Sequence, residues 1–150
     1  MSILLEEATH KDIPGILELI SEFYEEGLKS SGISFSKPSL FVLVKEYVEH
    51  KDACIVVAKE NGKCVGVVAG FMTPSLYDRK QQIVQQKIIF VRKEYRGKTG
   101  IRLLRAIEEW AKMKGANLIT MASLEGMQDL MRFYNRNHYR KLETHYMKEV

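Results

Sequence analysis

The stretch VRKEYRGKTGIRLLRAIEEW, residues 91–110, decides how the rest of the chain is read. It runs from an apolar strand end at Val91 through a basic turn into a helical pattern. Its centre is RGKTG, residues 96–100. Gly-Lys-Thr at the head of a helix raises the question of a nucleotide-phosphate loop. That loop would also need a glycine at position 92 so that the backbone can wrap the phosphates, and Arg92 stands there. An ATP or GTP loop is therefore not expected. The geometry still suits an anion. The first N–H groups of a helix have no partner within it, and the helix dipole adds positive potential. Gly97 and Gly100 remove side chains that would hold a ligand away, and Arg96 and Lys98 add charge. A diphosphate fits such a turn. From this loop alone, a basic turn whose glycines relieve strain fits as well.

Upstream, QIVQQKIIFV (82–91) reads as a strand and TPSLYDRKQ (73–81) as a loop. ACIVVAKENGKCVGVVAGFMT (53–73) reads as a hairpin about Asn61-Gly62, with Gly66 and Gly70 marking a bulge or a close backbone approach. SILLEEAT (2–9) reads as a first strand. DIPGILELISEFYEEG (12–27) reads as a helix capped by Thr9 or Asp12, and SLFVLVKEYVEHK (39–51) as a second helix capped by Ser36 or Ser39. The loop SSGISFSKPS (30–39) lies between them.

Downstream, GIRLLRAIEEWAKMKG (100–115) is the strongest helical pattern, with Ile101, Leu104, Ile107, Ala111 and Met113 as its apolar face and Gly115 as its stop. ANLITMAS (116–123) reads as a strand and GMQDLMRFYNRN (126–137) as a helix. YRKLETHYMKEV (139–150) reads as one closing strand or a short pair. The order predicts a single α/β domain over 1–150, with a sheet of about six to seven strands and about four helices. The unit from residue 82 to 123 predicts a parallel pair with a right-handed crossover.

Composition sets bounds. The chain has 150 residues, long enough for a core without metal or disulfide staples. Lys and Arg outnumber Asp and Glu by 23 to 19, an excess that suits an anionic small ligand but not a dedicated nucleic-acid surface. The opening MSILLEEATHKDI has no basic start followed by a long apolar run, and no stretch approaches a membrane span. No signal peptide or membrane anchor is expected, and the cytosol is the default. Cys54 and Cys64 read as buried free thiols, although neighbouring strands would leave a disulfide open. His10, His50, His138 and His145 show no metal spacing, so no metal is expected.

FVRKEYRGKTGIRLLRAIEEWAKMKGAN (90–117), followed by MRFYNRNHYRKLETHYMK (131–148), resembles the GNAT superfamily of acetyl-CoA-dependent N-acetyltransferases. The matching elements are Val91, KEYRG, Gly100, Leu103-Leu104, EEWAKMKGA, Phe133-Tyr134 and Tyr139, and the order of elements along the whole chain agrees. The motif-bearing second half is the more specific. The compact RGKTGIRLLR and the ending ETHYMKEV are most similar to small acetyltransferases of bacteriophage genomes. Two departures stand out. The turn is one residue shorter than the family pattern, with Thr99 where a middle glycine is usual, so that one diphosphate-facing amide is displaced or the Thr99 hydroxyl takes its place. His138 stands where the family usually has glycine.

The resemblance implies a mixed, mostly antiparallel, twisted sheet and direct transfer of an acetyl group from acetyl-CoA to an amine. The cofactor would lie on Ile89, Phe90, Val91, Arg96, Gly97, Lys98, Thr99, Gly100, Ile101 and Tyr134. The backbone N–H near Phe90 or Val91 would meet the developing oxyanion, and Tyr134 would protonate the departing thiolate. Many members carry a glutamate base on the strand before the turn. Alternation back from Val91 puts Ile89, Lys87 and Gln85 on one face, and Gln85, which is no base, falls at that position. Glu25 and Glu26 at the end of the first helix, or Tyr77 and Asp78 in the loop, remain as bases. The partners implied are acetyl-CoA and an amine acceptor, and homodimers are common in the superfamily. A CoA-binding module without catalysis is the second reading. A nucleic-acid domain using Arg92, Lys93, Arg96, Lys98, Arg102 and Arg105 is a third.

Overall fold

The computed structural model describes residues 2–150. The elements are β1 (Leu4–Glu7), α1 (Ile13–Gly27), α2 (Lys37–Glu49), β2 (Ala53–Glu60), β3 (Lys63–Pro74), β4 (Gln82–Val91), α3 (Lys98–Met113), β5 (Leu118–Thr120) and α4 (Gln128–Arg136). Local chemistry accounts for most of these boundaries. The Thr9 N–H donates to the Asp12 carboxylate at 2.8 Å, closing the turn into α1. The Ser36 hydroxyl accepts from the Ser39 N–H at the head of α2, with Pro38 in the first turn. The hairpin turns at Asn61 and Gly62, whose φ angles of 51° and 79° are those of the tight turn that Asn-Gly favours.

The five strands lie in the order β1-β2-β3-β4-β5. Pairing is antiparallel from β1 to β4 and parallel between β4 and β5, with α3 as the crossover. α1 and α2 cover one face, where Ile16, Leu19 and Val44 pack on Val57, Val67, Ile88 and Phe90. α3 and Tyr134 of α4 cover the other, where Leu103, Leu104 and Ile107 pack on Val68, Val84, Ile89 and Val91.

The α/β class, the mixed sheet and the parallel crossover agree with the sequence reading. The strand count does not: five strands are present among the described residues. Residues 139–150 form no strand. A strand needs a neighbour's ladder, and this tail leaves Leu142, Tyr146 and Met147 exposed. The face expected for α3 also shifts. Ile101 is 41% and Met113 76% exposed, whereas Leu103 is fully buried. Both exposed residues stand six positions from Ile107, about 120° around the axis, while Leu103, Leu104 and Ala111 lie at the spacings that share its face. Cys54 and Cys64 are free and buried, and burial pushes the Cys54 thiol up to about 12.

Two bulges reset the alternation of the sheet. One lies opposite Ala58 and Lys59, where Val65 is the extra residue. The other makes Ala69 pair with Ile88 and Gly70 with Gln86, so Lys87 is extra in β4. Gly70 is required there, because a Cβ at that position would stand 2.6 Å from the Gln85 carbonyl oxygen. The second bulge overturns the placement of Gln85. Val84 packs in the same cluster as Ile89 and Val91, so parity changes across Lys87. Gln85 pairs with Phe71, whose ring packs on Tyr47 of α2. Gln85 therefore faces the α1/α2 side, opposite to Val91.

Candidate active site

β4 and β5 pair only through Ile83–Leu118, Val84–Ile119 and Gln85–Thr120. β4 then continues to Val91 while the chain after β5 turns away, and a wedge opens between them. Its walls are Gln86–Ile89 on one side and Ala122 and Leu124 on the other. Phe23 and Leu28 at the end of α1 and Leu130 of α4 close it into a cavity of about 120 Å³.

The edge of β4 that faces the wedge can be read from two hydrogen bonds. The Arg92 N–H donates to the Val65 carbonyl of β3 at 3.0 Å. The Val91 carbonyl points the other way and accepts from Arg96 Nε at 2.6 Å. Alternation then turns the N–H groups of Ile89 and Val91 toward the wedge and that of Phe90 toward β3. Of the oxyanion donors named from the sequence, Val91 is open and Phe90 is not.

At the far end of β4 the chain makes a short 3₁₀ turn over Lys93–Tyr95 and enters α3. Gly97 is the N-cap with φ 103°, a conformation that favours glycine, and no side chain caps the helix. The Ile101 N–H is taken by the Gly97 carbonyl at 3.2 Å. The N–H groups of Lys98, Thr99 and Gly100 precede the first intrahelical bond and have no helical acceptor. The short turn therefore loses no helix-start amide, because α3 begins at Lys98 rather than at Gly100. Ile101 contributes no free amide. Thr99 is buried at 6% exposure, and Gly100 packs toward Phe133 of α4.

Most of the basic residues here are already held. Arg92 donates to the Glu22 carboxylate at 3.0 and 3.1 Å through Nε, and its Nη2 reaches Glu18 at 3.0 Å. Arg96 lies over the Phe90 ring at 5.5 Å and pairs with Glu26 at 3.1 Å. Arg102 donates to the Ile3 carbonyl, and Arg105 pairs with Glu108. Among the described residues, Lys93 and Lys98 make no ion pair. Arg92 and Arg96 fasten α1 to the end of β4 rather than forming a free basic stripe.

Tyr134 stands behind the Ala122 wall of the wedge. Its hydroxyl donates to the Ala122 carbonyl at 2.7 Å, and its ring lies between Phe133 at 6.0 Å and Tyr139 at 5.9 Å. Burial raises its pKa above the ordinary tyrosine value, so the hydroxyl stays protonated. Tyr139 is likewise displaced upward, by burial and then by the hydrogen bond it donates to Glu108 at 2.7 Å.

The named bases are not at the cavity. Glu25 pairs with Lys29 at 2.9 Å on the surface of α1, and Glu26 is engaged by Arg96. Tyr77 is 93% exposed, and the Asp78 carboxylate accepts from the Lys80 N–H at 3.1 Å. Among the described residues, no carboxylate lines the cavity.

Sequence reasoning passed over Gln86 and Ala122. The Gln86 side-chain oxygen accepts from the Ala122 N–H at 2.8 Å. The signal was present: a polar residue inside a buried apolar strand run asks for a partner. His138 is explained as well. It has φ 70°, the left-handed conformation that glycine adopts without a steric cost. His138→Gly is expected to raise stability by about 0.5–1 kcal/mol, read as a shift in urea midpoint; a loss would show that the imidazole makes a compensating contact.

A mixed sheet split between two parallel strands, with an uncapped helix start at the end of the split, suits an extended ligand that carries an anionic group. The Acetyltransferase (GNAT) family profile matches residues 14–139, and the chain belongs to that family. It is 27% identical over 123 residues to a probable N-acetyltransferase camello of Xenopus tropicalis, a match covering 82% of this chain and 52% of that protein. The chain thus spans about half the length of that curated relative. Among solved structures, it matches a transcriptional regulator from Bacillus halodurans C-125 with a TM-score of 0.82 at 21% identity, over 99% of this chain and 100% of that one. It also matches an aminoglycoside N-acetyltransferase in complex with CoA with a TM-score of 0.83 at 10% identity, over 99% and 95% of the two chains. At these identities the two structures speak for the fold.

Proposed function

We propose that the protein transfers an acetyl group directly from acetyl-CoA to a primary amine of a small molecule or protein, within a complex that holds both substrates. The observation that carries this reading is the alignment of the wedge with the start of α3. A ligand with an extended amide arm can lie along the open edge of β4, and its diphosphate can reach the N–H groups of Lys98, Thr99 and Gly100. The thioester then falls near Gln86–Ile89. The neutral amine attacks the thioester carbonyl carbon, the carbon–sulfur bond breaks, and Tyr134 gives its proton to the departing thiolate. With no carboxylate among the described residues that line the cavity, water carries away the proton lost by the amine. Exposed groups such as Glu25, Glu26 or Asp78 can receive it.

Acetyl-CoA titrated calorimetrically into the protein should bind at one site. Gly100→Asp has room for its side chain and sets a carboxylate at the helix start. It should weaken binding about tenfold. Equal affinity in this variant would remove the diphosphate from α3. The lack of a carboxylate in the cavity lining favours a second reading, a CoA-binding module without turnover. Release of free thiol in the presence of an amine panel separates the two.

A further inference from the structure

Gln86 is buried at 3% exposure, and only half of its carboxamide is used. Its oxygen is fixed by the Ala122 N–H at 2.8 Å. That bond also settles which end of the amide is which, since only the oxygen can accept from an N–H. Nε2 has no partner among the described residues, and Gln86 lines the cavity between β4 and Ala122. No fully enclosed side-chain nitrogen or oxygen among the described residues lacks a partner, so Nε2 is not sealed in the core but opens into the cavity, where an oxygen of a ligand can accept from it.

The oxygen it would meet can be identified by class. The other cavity walls, Phe23, Leu28, Leu124 and Leu130, offer apolar side chains. The only ionisable side chain in the lining is that of Lys87, which is exposed and lies over the Phe71 ring at 5.4 Å. Ile89, three residues along β4, turns its N–H toward the same wedge. The cavity thus has a side-chain donor at Gln86 and a backbone donor at Ile89 beside apolar walls, an arrangement suited to a carbonyl that gains negative charge.

We propose that Gln86 is a catalytic residue whose Nε2 donates a hydrogen bond to the acyl carbonyl oxygen of the bound thioester. This rests on the acetyl-CoA reading of the wedge. The Ala122 backbone links the two working side chains: its N–H holds Gln86 and its carbonyl, in the next peptide group, accepts from Tyr134. Gln86 thus acts on the oxygen of the reacting carbonyl while Tyr134 acts on its sulfur. The adjacent Gln85 cannot take the role, because the bulge at Lys87 leaves it on the α1/α2 face.

The test uses two variants and two ligands. Gln86→Met removes both halves of the amide at similar volume. Gln86→Glu keeps an oxygen for Ala122 and, once ionised, has no donor. Binding of CoA without an acyl group tests the underlying reading, and a wild type that fails to bind it overturns both reading and inference. Binding of acetyl-CoA carrying heavy carbon at the thioester carbonyl is followed by isotope-edited infrared spectroscopy. The wild type should lower the carbonyl stretch, and both variants should return it toward the free value. Their kcat should fall about 100-fold while CoA binds as before. A carbonyl band unchanged between wild type and variants, or an equal loss of affinity for CoA and acetyl-CoA, would overturn the assignment.

Discussion

Tyr134→Phe should lower the rate of acetyl transfer about 100-fold or more while leaving CoA affinity near that of the wild type. The ring stays packed against Phe133 and Tyr139, so the change removes one hydroxyl and its hydrogen bond to Ala122. Loss of that bond alone should cost about 1 kcal/mol of stability. The pH profile adds a second readout. Burial favours the neutral phenol in the folded state, so the folded pKa lies above the ordinary tyrosine value of 10.0. The stabilisation linked to this shift is complete below pH 10 and is lost as pH rises beyond it. Activity should therefore show no alkaline decline from Tyr134 below pH 10. Steady-state assays with a thiol reagent check both points. Wild-type turnover in Tyr134→Phe would assign the hydroxyl to structure alone.

Ile107→Ala should cost about 2–5 kcal/mol. Ile107 is fully buried between α3 and the sheet, and its Cδ1 lies 3.1 Å from where a Gly70 Cβ would stand. The side chain thus supports the bulge that turns Gln86 into the wedge. Equilibrium urea unfolding should show the loss as a lower midpoint with little change in slope. A cost below about 1 kcal/mol would mean that the core collapses around the gap.

The elements whose signals are local were legible in the sequence. Asn61-Gly62 turns the hairpin, Ser36 caps α2, and Gly97 ends the basic turn with a backbone that suits glycine. The periodicity around Ile107 located α3 but drew its buried face too wide, because Ile101 and Met113 lie about 120° around the axis while Leu103 lies on the face. Residues 139–150 read as one closing strand or a short pair, but nothing in their own sequence supplies the partner that a strand requires. The site shows the same limit. Val91, Gly97 and Tyr134 carry local motifs. Gln86 and Ala122 do not, since their roles follow from a bulge at Lys87 and from the early end of the β4–β5 ladder. Both are properties of pairing between segments distant in sequence. The bulge also misled the count that put Gln85 on the face of Val91, because one extra residue inverts every assignment behind it.

The central claim is that acetyl-CoA lies in the wedge between β4 and β5 with its diphosphate on the start of α3. A crystal structure of the protein soaked with acetyl-CoA tests it most directly. The account predicts diphosphate density within hydrogen-bonding distance of the N–H groups of Lys98, Thr99 and Gly100, and the thioester beside Gln86–Ile89. A well-diffracting crystal with an empty wedge, or with the diphosphate bound elsewhere, would contradict it.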